Sequence, residues 1–192
     1  RWRFGMQSRP KFGNIVRAQL ITNPHQLHRC LLNGLWTFEH IRGGKVIHRE
    51  TVKNMIVNAG LDYLLDVALS GGSQLSTWYV GLISATPTIA AGNTMGSHAG
   101  WTEVTDYSQA NRVTWSDGGV SGQSVDNTGS PAAFSINASV TVGGAFLTSN
   151  NTKGGTTGTL FSATAFASGN RSFINGDTLN VTATYSAADD GV

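Results

Sequence analysis

The rhythm of hydrophobic and polar positions changes several times along the chain. Asn14 to Ile21 reads as an extended apolar segment, and Asn23-Pro24 breaks it. Further on, Trp36, Phe38, His40 and Arg42 alternate with Thr37, Glu39 and Ile41. Gly43-Gly44 interrupts this run before Lys45 to Val52 resumes it. Two short runs around a glycine pair predict a β-hairpin, because the pair tolerates the positive φ that a tight turn needs. Leu61, Leu64, Leu65 and Leu69 then recur at helical spacing, and Ser70-Gly71-Gly72 stops them. This predicts a single short helix of about three turns.

After Ser73 the pattern becomes that of strands and turns. Thr77 to Ile83 is a continuous apolar run, and strand candidates follow at Arg112–Ser116, Ala132–Asn137, Ala145–Thr148, Leu160–Phe166 and Leu179–Tyr185. Gly-, Ser-, Asn- and Thr-rich loops separate them. Leu179, Val181, Ala183 and Tyr185 alternate with Asn180, Thr182 and Thr184, the signature of a strand with one buried and one solvated face. Many short strands with turn chemistry between them predict a mainly β fold, an antiparallel β-sandwich or jelly roll. The expected organisation is a basic N-terminal arm with hairpin and linking helix over residues 1–74 and a β-sandwich domain over 75–192. That second region is expected to fold without the first.

Composition narrows the class. Charged residues make up 12% of the 192 residues, about half the usual share, which argues against coiled coils and helical bundles. An apolar fraction of 40% argues against disorder. No apolar run approaches the ~18 residues of a membrane span, so no membrane partner is expected. The first residues lack the apolar stretch of a signal peptide. The single cysteine, Cys30, has no internal disulfide partner.

Charge adds the first functional clue. Residues 1–53 hold ten Lys or Arg and two acids, whereas residues 54–192 hold three Lys or Arg and nine acids. A basic arm implies a partner of opposite charge. In this arm the basic residues are interleaved with apolar ones, which fits a segment laid along a neighbouring protein better than a nucleic-acid tail. The expected contact residues are Arg9, Lys11, Phe12, Ile15, Val16, Arg17, Leu20 and Ile21. Apolar members would be buried on the partner, and basic members would pair with acids at the rim.

Catalytic and metal-binding signals are weak. Gly-x-Ser-x-Gly, phosphate-loop and His-Glu-x-x-His motifs are absent from the sequence. His25, His28 and Cys30 lack the fourth ligand and loop context of a metal site. His98 has Glu103 and Asp106 near it in sequence, but reads as a loop histidine packing Trp101. Asp117, Asp126 and Asp177 stand in turn contexts and read as turn caps, and Gly154-Gly155 reads as a β-turn. No catalytic residue, metal or cofactor is therefore expected. Trp101 and Trp115 have polar flanks and are candidates for exposed aromatics, which would suit stacking against a sugar.

One stretch carries a resemblance. Trp78-Tyr79-Val80-Gly81-Leu82 is followed by Met95-Gly96-Ser97-His98-Ala99-Gly100-Trp101-Thr102-Glu103 and Tyr107-Ser108-Gln109-Ala110-Asn111-Arg112. With Gly143–Leu147, Thr152–Leu160 and Gly176–Val181, these motifs resemble a group of tailed-bacteriophage virion structural proteins. The resemblance covers about residues 54–186 and carries no catalytic residue. It implies a non-enzymatic virion component, assembled in the bacterial cytoplasm and held to neighbours by its arm. A homo-oligomer contacting tail, neck or major capsid proteins is expected. An accessory tail or neck protein, fibre-type or adaptor, is the first reading. Capsid decoration is the alternative, and a carbohydrate-binding module contacting a host glycan is the alternative of another class.

Overall fold

The computed structural model describes residues 30–189. Twelve strands and one helix follow in the order β1 (Cys30–Arg42), β2 (Lys45–Lys53), β3 (Met55–Ile56), α1 (Asn58–Leu65), β4 (Trp78–Ser84), β5 (Glu103–Val104), β6 (Val113–Trp115), β7 (Ser124–Asp126), β8 (Ala132–Ser135), β9 (Val140–Thr148), β10 (Leu160–Ala165), β11 (Arg171–Phe173) and β12 (Thr178–Asp189). All strand pairings among the described residues are antiparallel. The first sheet runs β2-β1-β12-β7, with β8 also on β12; the second runs β3-β10-β9-β4-β5, with β11 on β9 and β6 on β4. Side chains from both sheets meet in one apolar core, including Trp36, Phe38, Leu82, Phe134, Leu147 and Val181. The fold is mainly β and matches the expected antiparallel sandwich.

Alternation explains the first sheet. Trp36, Phe38 and His40 of β1 stand opposite Ala183, Val181 and Leu179 of β12, and all six side chains are buried. The intervening threonines and asparagine of β12 are only half-buried. The hairpin turn forms where the glycine pair predicts it, with Gly43 and Gly44 at φ +56° and +73°.

The second sheet is covered on both faces, which explains the unbroken apolar run of β4. Val80 and Leu82 enter the main core, while Ile83 joins a second cluster with Val57, Met95, Trp101, Phe146 and Leu160. Residues 85–101 lie over this outer face. Gly81 is required there, because a Cβ atom would come within 2.2 Å of the Phe146 ring.

Three expectations change. The hairpin does not belong to a separate arm unit: β1 lies between β2 and β12 in the sheet and puts Trp36 and Phe38 into the main core. Among the described residues, the boundary expected at 74/75 thus falls inside one core shared by β1 and the strands after residue 74. The helix starts at Asn58 rather than Leu61, and it gives way to a π-helical turn over Asp66–Ser70 that ends at Gly71 with φ +81°. Its packed face is also different. Leu61, Leu65 and Leu69 are exposed, the last at 82%, whereas Gly60 is buried and Tyr63 and Leu64 pack against the core. Gly60 permits this because a Cβ there would lie 2.2 Å from the Phe161 carbonyl oxygen.

Candidate interaction surface

The core is open at one end. There α1, its π-helical turn and the ends of β1 and β12 enclose a groove of about 520 Å3. Its floor is a chain of aromatic contacts: Tyr63 to Trp78 at 5.1 Å, Trp78 to Phe161 at 5.3 Å, Phe161 to Tyr185 at 5.1 Å and Tyr185 to Trp115 at 5.8 Å between centroids. The polar atoms of Tyr63, Trp115 and Tyr185 are engaged within the fold. Trp115 Nε1 donates to the Ala183 carbonyl at 3.2 Å, and Tyr63 Oη accepts from the Leu75 amide at 2.8 Å. Tyr185 Oη pairs with Ser162 Oγ, and burial pushes its phenol well above the ordinary value. The groove therefore offers mostly hydrocarbon. Leu32, Leu64 and Val67 form part of its walls, and Val120, 80% exposed, stands at its edge.

The groove lies where β1 and β12 run past the core. Cys30 to Asn33 are all exposed, and Cys30 stands opposite Asp189 in the ladder. The segments around it, residues 58–78, 115–127 and 183–189, carry Asp62, Asp66, Asp117, Asp126 and Asp189 but no Lys or Arg. The groove lining itself holds no charged residue.

Elsewhere, two clusters of charged groups are committed to the framework. Arg112 forms a bidentate pair with Glu103, at 2.8 and 2.7 Å, and donates to the carbonyls of Asn150 and Gly155. Lys153 sits 4.1 Å from the Tyr107 ring centre and donates to the carbonyls of Thr105 and Tyr107. These contacts pin residues 103–112 to the loop between β9 and β10. Asp177 accepts from Arg42 Nε and Nη2 at 2.8 and 2.7 Å, from the Ile174 amide at 2.9 Å, and pairs with His40 Nε2 at 2.9 Å. The Arg42 guanidinium, before the Ile174 amide and His40, holds the Asp177 carboxyl well below the usual carboxylate range, against the opposing effect of burial. Burial lowers the His40 imidazole in spite of its bond to Asp177.

The sequence-predicted residues divide as follows. His98 behaves as expected: its ring stacks on Trp101 at 3.7 Å and its Nδ1 lies 3.0 Å from the Trp101 carbonyl oxygen. Glu103 pairs with Arg112 rather than His98. Asp117 and Asp126 accept from the amides of Gly119 and Thr128, as turn caps do. Trp101 and Trp115, considered for exposed positions, are buried at 4% and 7% exposure. Trp101 is held under residues 85–101 against Phe146, and Trp115 lies against Tyr185. Trp101 is thus covered, and what remains accessible of Trp115 belongs to the groove floor. Arg9, Lys11, Phe12, Ile15, Val16, Arg17, Leu20, Ile21, His25 and His28 lie outside the described residues; Cys30 is exposed.

Sequence reasoning missed the groove and the His40–Arg42–Asp177 cluster. The cluster had a signal: His40 continues the inward-facing series Trp36, Phe38, and a polar residue there needs a buried partner. The groove had none, because its lining comes from segments far apart in sequence.

No known protein family matches the chain, and no curated protein is detectably similar to it.

Proposed function

We propose that the chain is a non-enzymatic structural component of a bacteriophage virion, held to neighbouring subunits by its N-terminal arm and acting as an accessory tail or neck protein. The observation that carries this reading is the use made of the motif residues that resemble virion proteins. His98, Trp101, Glu103, Tyr107, Arg112 and Lys153 are spent on holding loops to the sandwich. Arg112, in the most reactive-looking pair, donates to Glu103 and to two backbone carbonyls, and Glu103 also accepts from the Gly154 amide. Such a region is a rigid platform that offers shape to a partner. The division of charge supports the attachment: residues 1–29 carry six basic residues and no acid, facing an acidic remainder.

The test is the protein content of purified particles, measured by quantitative mass spectrometry against the major capsid protein. About six or twelve copies per particle are expected, the numbers that tail and neck symmetry impose. Hundreds of copies would move the protein to the capsid surface as a decoration protein. Absence from the particle overturns the reading.

A further inference from the structure

We propose that Arg171 is a binding site for a carboxylate supplied by another molecule, held by the side-on edge of its guanidinium at the hairpin end of the sandwich. The inference goes beyond the reading above and stands apart from both the arm and the groove.

Arginine is used consistently in this fold. Arg112 grips Glu103 through Nε and Nη2 at 2.8 and 2.7 Å, and Arg42 grips Asp177 through the same two atoms at 2.8 and 2.7 Å. Arg49 turns its Nε toward Glu39 at 3.5 Å. Arg171, the remaining arginine of the described residues, departs from this use: its Nε is buried and has no acceptor among those residues. An unpaired buried donor on a cation is costly, and the two oxygens of a carboxylate match the guanidinium fork.

The strand ladder places this donor beside the cluster at the hairpin end. Arg171 stands opposite Val142, and Phe173, two residues on, shares its side of β11; Val142 and Phe173 both belong to the main core. Phe173 stacks on His40, and the Arg171 charge opposes protonation of that ring. The acids at this end are already engaged. Asp177 accepts from Arg42 and the Ile174 amide and pairs with His40. Glu50 accepts from the Ser168 amide and hydroxyl, each at 3.0 Å, and lies 3.5 Å from His48 Nε2. His40 Nδ1 is also buried without a partner, but with Nε2 on Asp177 it becomes a donor only when the ring is protonated. Arg171 therefore supplies the donors.

Charge and reach select the ligand. Arg42, Lys45 and Arg171 stand against Asp177 and Glu50, three cations to two anions. One carboxylate balances that surplus, whereas a phosphate, at about −1.5 to −2, exceeds it. Asp190 is the one acid of this sequence outside the described residues, and it follows Asp189, which stands opposite Cys30. That is the far end of β12 from Thr178, a span of about 36 Å at the usual rise per residue. The carboxylate must then come from a second molecule.

The experiment titrates the uniformly 15N-labelled full chain at pH 7 and constant ionic strength, with sodium acetate replacing sodium chloride, and follows the arginine Nε–Hε signals by NMR. The expected result is a saturable shift of the Arg171 signal, with those of Arg42 and Arg112, already paired, staying in place. A shift that is linear in acetate, or the same with chloride alone, marks an adventitious ion only and overturns the proposal. Inorganic phosphate, titrated in the same way, is expected to bind more weakly; saturation by phosphate below the acetate range overturns the carboxylate assignment. Arg171→Lys keeps the charge and removes the fork. With folding checked by circular dichroism, its acetate affinity, read from the Phe173 amide, is expected to fall about tenfold. Unchanged affinity of the folded variant also overturns the proposal, and the titration of the unmodified chain decides the matter should the variant fail to fold.

Discussion

At the scale of single residues, two buried ionic clusters carry the most sensitive contacts. Arg112 is completely buried and Glu103 nearly so. Arg112→Lys supplies one point charge where a planar fork serves a carboxylate and two carbonyls. It leaves acceptors unpaired away from water, and should cost about 2–4 kcal/mol of stability in urea unfolding. The second cluster makes stability depend on pH. Asp177, depressed in the folded state, contributes stability that is complete above the ordinary carboxylate range and lost as pH falls through it. His40 is buried, stacks on Phe173 at 3.9 Å, and is harder to protonate when folded than its ordinary value of 6.5, with Arg171 and Arg42 opposing its charge and Asp177 favouring it. The unfolded chain therefore takes up more protons as pH drops below that value, and stability falls. Both groups act in the same direction. Calorimetry should show the melting temperature declining from about pH 8 to about pH 5. His40→Gln should flatten that part of the profile and leave the steeper fall below about pH 4 in place.

At the scale of elements, the decisive pairing is β1 with β12. It spans the ladder from Cys30–Asp189 to Ile41–Thr178 and buries Trp36 and Phe38 between the sheets. Residues 75–192 alone lack β1 to β3 and α1, and leave the inner face of β12 without these partners. That fragment should show no cooperative unfolding transition in urea, whereas residues 30–192 should unfold in a single transition; a cooperative 75–192 would contradict the account. The alternation of β12, the hairpin glycines and the run of β4 were legible in the sequence, because each is a local pattern answering to one or two sheet faces. Short β3, β5, β7 and β11 were not, since two or three residues carry no period. The helix was legible but its buried face was not. Leu61, Leu65 and Leu69 promised a packed stripe, yet close approach at Gly60 turned the Tyr63 and Leu64 face inward. Trp101 and Trp115 misled for a related reason: polar neighbours in sequence say little once a loop folds over a ring. The Arg112–Glu103 pair joins residues nine apart, but its two carbonyl partners lie in another loop, and only the tertiary structure brings them in.

At the scale of the whole molecule, the sequence divides its charge between a basic segment and an acidic body, and Leu32, near the start of β1, lines the body's apolar groove. An attachment made of apolar burial with charged pairs at its rim should weaken moderately as salt rises while persisting at high salt. Removing the segment should leave the sandwich intact, since among the described residues β1 and the elements after it supply a complete two-sheet core. The most direct measurement is incorporation of a chain lacking residues 1–29 into particles, scored by mass spectrometry beside the full chain, with thermal unfolding of the truncated protein as the control for folding. The predicted result is a folded truncated chain that is absent from purified particles in which the full chain is present. Incorporation of the truncated chain at the level of the full chain would contradict the attachment by the arm.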